Sequence, residues 1–337
     1  MKILFIGGTG IISSACSELA IRRGMELHIL NRGLSKKLEA PKKAVIFHAD
    51  IRKEPEKVLE YARNNLFDAV VDWVAFTEKD IEQDIKIFFG RTKQFVFISS
   101  ATVYEKPPSN YLITEDTPLA NPFSEYARNK IACEKRLLRE YRRKNFPVTI
   151  VRPSLTYGLS QIPLCIGSWS YPYTVINRMK KGNPVIVPGD GTSLWTVTWN
   201  ADFAKGLVGL LGCKKAVGEA FHITSDEVLS WNQIYLQAGK AAGVVPELMH
   251  IPSDLLSTHI PRLEGSLIGD KVNSVVFDNS KIKKLVPSFK CEVKWAEGVR
   301  RAVRWHEADP VRCAIDKETD RLHDRIISSY LRAFPKK

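Results

Sequence analysis

Short apolar runs recur through the first half of the chain, with polar, helix-like stretches between several of them: MKILFI, MELHILN, AVIFHAD, DAVVDWV and QFVFISS. Each run is nearly continuous rather than alternating and rich in β-branched and aromatic residues, the pattern of strands buried on both faces. Strands that alternate with helices predict a parallel sheet covered on both sides. A sixth run, FPVTIVRP, follows a long helix that starts near Ser124. The expected fold class is α/β, a doubly wound parallel sheet.

After about residue 160 the pattern loosens. SQIPLCIGSWSYP and KKGNPVIVPGDGTSLW are rich in Pro, Gly and Ser and predict loops and short strands rather than another regular β-α unit. Helices are predicted over Asn200–Gly212 and Ser230–Ala242, the second with Ser230 as its N-cap, and a terminal amphipathic helix from Asp309 to Lys337. A regular part, residues 1–160, is thus followed by a smaller, irregular part, residues 161–337, with some later segments packing back on the first.

The first strand ends in GGTGIIS, with Gly7 and Gly10 spaced GxxG and Ser13 where a third glycine usually falls. Gly7 permits a tight turn, Gly10 a close backbone approach to a pyrophosphate, and the helix that follows aims its first amides at the anion. A merely flexible turn is the alternative; the strand before and helix after favour a dinucleotide cradle. The second strand ends in Asn31-Arg32. An acidic residue there would hold the ribose hydroxyls and repel a 2'-phosphate; Asn31 removes that repulsion and Arg32 can pair with the phosphate, which leans towards NADP over NAD. A solvated or adenine-stacked Arg32 leaves both open. Asp50, closing the third strand, either accepts from the adenine amino group or caps a turn.

The fifth run leads into SSATVYE, which puts Ser99 and Ser100 at a carboxyl end of the sheet, where open α/β sheets bind ligands. In NPFSEYARNK, Tyr126 and Lys130 stand four apart on one helix face. An isolated pair of this kind is a surface feature. Beside Ser100 it becomes chemistry: an ammonium and an oxidised nicotinamide ring both favour the phenolate, so Lys130 lowers the Tyr126 pKa and holds a ribose while Ser100 steadies the substrate oxygen.

GGTGIIS, FVFISSATVY, YARNK and VRPSLTYG, in this order and spacing, resemble the extended short-chain dehydrogenase/reductase family, the NAD-dependent epimerase/dehydratases. The resemblance is clear over the first 160 residues and looser through KKGNPVIVPGDG, WNADFAKGL and FDNSKIKKLVP. It implies a Rossmann-type sheet and a bound NAD or NADP. It also implies a catalytic Ser100, Tyr126 and Lys130 and a carboxyl-terminal substrate pocket. The cofactor contacts it implies are Gly7, Thr9, Gly10, Ile11, Ile12, Asn31, Arg32, Asp50, Ile51, Val74, Ser99, Tyr126, Lys130 and Pro153. It implies a homodimer through helices near residues 79–90 and 124–145.

The family pattern also divides the possible reactions. Sugar 4,6-dehydratases carry an Asp-Glu pair where this chain has Ala101 and Thr102, so that dehydration lacks its acid. Epimerisation through a transient keto intermediate, or net dehydrogenation or ketone reduction if that intermediate leaves, is expected on a sugar or sugar-like substrate. Nucleotide-sugar epimerases commonly pair an arginine of GDGxxxRDF with the diphosphate; this chain has Trp195 there. A second arginine is absent before DNSK, Arg262 lying further upstream, which argues against a standard UDP-sugar. Ser100, Thr102, Trp169 and Trp195 are the candidate substrate residues; Trp169, Trp195 and Trp199 either floor a flat ligand or pack in a core. His222 and His250 read as satisfied strand-end histidines.

Composition adds limits. Hydrophobic content of 44% and charged content of 26% are those of a soluble globular protein. The opening apolar run is interrupted by glycines and too short for a signal or a span, so a cytoplasmic protein with no membrane contact is expected. Six cysteines show no CxxC pair and no histidine at metal-ligand spacing, so free thiols and no metal are expected. The formal charge of +13 includes the run Lys135, Arg136, Arg139, Arg142, Arg143 and Lys144. With Asn31-Arg32-Gly33, it also resembles the chloroplast stem-loop RNA-binding proteins of this fold, although no aromatic-basic interleaving accompanies it.

Overall fold

The computed structural model of the chain describes residues 1–34 and 38–333. Seven parallel strands form one sheet. Its first five in chain order are β1 (Lys2–Ile6), β2 (Glu26–Asn31), β3 (Val45–His48), β4 (Ala69–Asp72) and β5 (Phe95–Ile98). Across the sheet the order is Ala220–Ile223, Val148–Pro153, β5, β4, β1, β2, β3. Ile3 and Phe5 of β1 join one core, shared with α1 (Ile11–Arg22) and the helix Asn200–Leu210. Leu4 and Ile6 join the other, shared with α2 (Pro55–Asn64), α3 (Glu78–Phe88) and α4 (Glu125–Lys144). Side chains alternate between two buried faces, which is why the runs are apolar at every position.

β1 is flanked by β2 on one side and β4 on the other, so the winding reverses there. That reversal opens a crevice beyond the carboxyl ends of these strands. Two features depart from the sequence reading. β3 is an edge strand, with Val45 46% and Ile46 38% exposed, because helices cover it less fully than the central strands; Phe47 stacks on Tyr61 of α2 at 4.1 Å. The seventh strand, Ala220–Ile223, comes after residue 160, and at four residues with His222 inside it is too short to stand out as an apolar run.

The helix predictions near Ser124, Asn200 and Ser230 correspond to Glu125–Lys144, Asn200–Leu210 and Trp231–Ala241. Ser124 accepts from the Ala127 amide and Ser230 from the Gln233 amide, as N-caps do. The terminal helix is shorter than expected: Pro310 starts a single turn to Cys313, and Asp316 caps the helix Lys317–Leu331. Strands of two to four residues tie the irregular part together, among them Leu155–Tyr157 with Val197–Trp199 and Val185–Pro188 with Leu248–Ile251. Among the described residues no helix is long and apolar enough to cross a membrane.

Candidate active site

The turn after β1 is built for close approach. Gly7 has φ +91°, and a Cβ there would stand 2.7 Å from Val74 Cγ1. Ser13 is buried rather than merely small. Its hydroxyl donates to the Gly7 carbonyl at 2.9 Å and accepts from the Gly10 amide at 2.8 Å, which fastens the turn to α1. No acidic residue occupies the first turn of α1, so its amides face an anion unopposed. A cavity of about 740 Å³ beside this turn is lined by Gly7, Thr9, Asn31, Arg32, Asp50, Ile51 and Val74 of the predicted cofactor contacts. A glycine cradle, an open helix N-terminus and a long cavity fit a dinucleotide.

Details of this half differ from expectation. The Asn31 amide oxygen accepts from the Gly33 amide at 2.9 Å and pairs with His48 Nδ1 at 3.0 Å. Asp50 Oδ1 accepts from the Arg52 amide at 2.9 Å, a turn cap, while the residue also lines the cavity. Arg32 is exposed on the cavity with no ion pair among the described residues, whereas Arg52 is bound to buried Asp72 and Asp84. Those two carboxylates share one guanidinium, and burial beside Asp72 pushes the Asp84 carboxyl well up.

A second cavity, about 700 Å³, lies on the other side of the turn, reached by Ile12. Ser99, Ser100, Thr102, Tyr126, Pro153, Trp169 and Trp195 line it. Ser100 and Tyr126 come from a strand end and a helix start respectively. The Ser100 hydroxyl accepts from the Thr102 amide at 3.2 Å and the Thr102 hydroxyl at 2.9 Å. Tyr126 is 43% exposed and so open to the cavity. Lys130, one turn deeper, is 2% exposed. Gly10, Ile11 and Lys130 line neither cavity: Gly10 caps α1, Ile11 is its first residue, and Lys130 lies behind Tyr126.

Lys130 is anchored to backbone carbonyls. Its ammonium donates to the Ala75 and Ile98 carbonyls at 2.7 and 2.8 Å and sits over the rings of Phe97 and Phe76 at 4.7 and 4.8 Å. Burial pushes its pKa down to about 8, against the pull of Asp72. One of its three donors remains for a ligand. Tyr126 is pushed up, not down: burial of the phenol dominates, a hydrogen bond with Ser100 pulls the other way, and Lys130 is not among the groups that shift it. Ser99 also has another task, because its hydroxyl donates to buried Glu134 at 2.5 Å. Of the three tryptophans, Trp169 is 66% exposed at the cavity, Trp195 lines it while stacking on Trp231, and Trp199 is core, edge-on to Tyr157.

A sequence profile described as the NAD dependent epimerase/dehydratase family matches residues 3–223. The chain belongs to that family. Among relatives, it is 26% identical over 262 residues to the chloroplast stem-loop binding protein of 41 kDa b of Arabidopsis thaliana, covering 74% of this chain and 65% of that one. It is 22% identical to 2'-dehydrokanamycin reductase of Streptomyces kanamyceticus, over 86% of this chain and 80% of that one. It is 29% identical to UDP-glucose 4-epimerase of Lactobacillus helveticus, over 40% and 46%. The fold is shared with UDP-glucuronic acid 4-epimerase of Bacillus cereus, TM-score 0.71, 19% identity, covering 90% of this chain and 98% of that one. It is shared also with dTDP-glucose 4,6-dehydratase of Bacillus anthracis, TM-score 0.73, 18% identity, 92% and 98%.

Membership in the epimerase/dehydratase family leaves several residues of this site unforeseen. His48, Lys106, Arg262, Asp270 and Lys271 all line the two cavities. Arg262, although far from the arginine position typical of the family, is carried to the cavity by a helical segment, which weakens the argument drawn from its absence. A buried network joins the two parts. Glu134 accepts from Arg152 Nε at 3.0 Å and Nη2 at 2.6 Å, and Arg152 donates to the Tyr104 hydroxyl at 3.2 Å. His222 Nε2 lies 2.7 Å from the Asp278 carbonyl, which can only accept, so Nδ1 receives the Tyr104 proton at 3.0 Å. The sequence signal for such a network is nil, since its members are scattered polar residues in apolar surroundings.

Proposed function

We propose that the protein is a nicotinamide-dependent oxidoreductase of the epimerase type, acting on a hydroxyl-bearing carbon of a sugar-like substrate. The observation that carries this reading is the placing of the Tyr126 phenol and Ser100 hydroxyl in one cavity. Lys130 lies behind Tyr126, Ile12 of α1 lines the same cavity, and Gly7 and Thr9 of the turn just before α1 line the other. The turn at Gly7 and Gly10 and the α1 amides would hold the pyrophosphate, and the free donor of Lys130 a ribose hydroxyl. The nicotinamide held there would supply a reversible hydride acceptor for the substrate carbon.

The chain's own residues handle the proton. Tyr126 removes it from the substrate hydroxyl, and Ser100, its orientation held by Thr102, donates to the substrate oxygen. A phenol is protonated at neutral pH and this one is shifted further up, so the proton transfer speeds up as pH rises towards the phenol's pKa, while Lys130 stays cationic below about 8. Ala101 and Thr102 bring no carboxylic acid to Ser100, which supports epimerisation or ketone reduction over 4,6-dehydration. Similarity to the kanamycin-derivative reductase supports the net-redox variant of the same site. Tyr126→Phe is expected to lower turnover at least about a hundredfold while dinucleotide affinity changes less than about twofold. Full turnover in that variant, measured on any accepted substrate, refutes the assigned base.

Arg32, exposed on the cavity with no ion pair among the described residues and without an acid at position 31, supports NADP over NAD. Calorimetric titration should give the tighter constant for NADP, and Arg32→Ala should remove about tenfold of it, the scale of one charge-assisted hydrogen bond. A homodimer through α3 and α4 is proposed on their adjacent placing. The helices already exchange ion pairs, Arg139 with Glu78 at 3.4 Å and Arg136 with Glu82 at 3.6 Å. Those pairs neutralise part of the basic run. RNA binding, favoured by the chloroplast relative's name and the +13 charge, is the second reading; a labelled stem-loop that stays free at low salt excludes it.

A further inference from the structure

Lys106 is a lysine that the proposed chemistry does not use. It is 5% exposed, yet it lines the cavity that holds Ser100 and Tyr126. Its ammonium has an incomplete set of partners: one oxygen of Asp270 at 3.5 Å and the face of Trp195 with the centroid 5.5 Å away. An ammonium has three donors to satisfy. Burial accordingly pushes its pKa down, with Asp270 opposing.

The surroundings sharpen the charge argument. Lys271 lines the same wall, donates to the Ser266 carbonyl at 3.3 Å, and stands 4.0 Å from the second oxygen of Asp270. Two lysines therefore share one carboxylate, leaving one positive charge in surplus on a wall shielded from solvent. The exposed rim of this cavity carries Arg262, Glu125 and Glu264, whose charges water and salt screen far more strongly. The wall also sits close to the reacting groups. The Lys106 amide bonds the Ala120 carbonyl at 2.8 Å, and the next side chain, buried Asn121, donates to the carbonyls of Thr102 at 2.9 Å and Gly269 at 2.7 Å. Thr102 in turn orients Ser100.

We propose that Lys106 is a specificity-determining residue whose ammonium, held between Asp270 and the Trp195 ring, binds an anionic substituent of the reacting ring, a carboxylate or a phosphate ester. The inference rests on the oxidoreductase reading, since that reading places the reacting carbon at Ser100 and Tyr126. A substrate anion supplies the strong acceptor that the protein leaves out, and its partner charge is already buried and oriented. A neutral hydroxyl at the same place accepts a weaker bond.

The test is equilibrium binding by calorimetry to the protein saturated with NAD or NADP. The probes are glucuronate, glucose 6-phosphate and glucose, each free, then UDP-glucuronate, UDP-glucose and UDP. Anionic rings should bind at least about tenfold more tightly than their neutral counterparts, on the scale of one charge-assisted hydrogen bond. A carboxylate preference and a phosphate preference separate the two anions. Lys106→Arg should keep most of that preference and the double variant Lys106→Met, Asp270→Asn should abolish it, with dinucleotide affinity unchanged in both. Equal binding of neutral and anionic rings to the wild-type protein overturns the proposal without any variant, as does a preference that survives the double variant. Lys106-dependent binding of UDP alone also overturns it, by moving the anion off the ring. Failure to bind either dinucleotide sinks the oxidoreductase reading instead, so the two failures are distinguishable.

Discussion

The two sides of the crevice are built on different terms. On the β1–α1 side, contacts come from consecutive backbone: Gly7, Gly10 and Ser13 close a turn on themselves, and the cavity follows from strand ends that share one sheet. On the other side, the wall is assembled from segments near residues 100–106, 121–126, 153–156, 195 and 261–271, held by Asn121, Asp270 and Trp195. A backbone-built site tolerates variation in side chains but not in local conformation. A side-chain-built site tolerates the reverse, and can change substrate while keeping its cofactor.

Substitutions that separate packing from contact break this comparison most visibly. Trp199→Ala is expected to cost about 3–5 kcal/mol in chemical denaturation, because Trp199 is buried against Tyr157 in the core of the second part. Trp169→Ala, on the exposed rim, should stay within about 0.5 kcal/mol. Comparable losses in the two would erase the distinction between a core and a ligand-facing tryptophan.

Gly7→Ala comes next, at about 1–3 kcal/mol with weakened dinucleotide binding, because alanine at φ +91° is strained and its Cβ meets Val74. Gly24, at φ +73° with open space around it, is the control: Gly24→Ala carries strain without the clash and should leave dinucleotide affinity unchanged. An equal loss of affinity in both variants would mean that the turn at Gly7 is not a close-approach site.

The most gradual effect, spread over a pH window rather than made by one substitution, is expected at His222. Burial holds His222 neutral down to about 4, below its ordinary 6.5, so between these values the unfolded chain binds the proton that the folded one refuses. Stability therefore falls as pH drops from 6.5 towards 4, by about 1 kcal/mol per pH unit from this group. His323, buried against the Ile166 carbonyl, behaves likewise. His222→Gln should flatten the urea-midpoint profile in that window; an unchanged slope would show that His222 does not set it.

Much of the sheet was legible because buried parallel strands need apolar residues on both faces, and the runs at β1, β2, β4 and β5 satisfy that without reference to neighbours. β3 misled, since nothing in AVIFHAD reveals that it is an edge. For Ser99 the place after a strand was readable, but its bond to Glu134 was not. Trp199 and Trp195 sit four apart and look alike in sequence; only packing tells the core indole from the cavity indole. The Tyr126–Lys130 spacing was readable, yet the direction of the Tyr126 shift was not, because it depends on how deeply the phenol is buried.

What the sequence by itself determined is local: the turn chemistry of GGTGIIS, the caps at Ser124 and Ser230, the helical spacing of Tyr126 and Lys130, and the membership in a family that these motifs carry. The tertiary structure alone decided which distant charges meet. Lys106 and Asp270 pair although 164 positions separate them in the sequence, and Arg262 reaches the cavity from outside any motif. The physical reason is range. Turns, caps and strand periodicity are set by interactions within a few residues, whereas a buried charge gains its partner, its desolvation and its purpose only after the segments around it have packed.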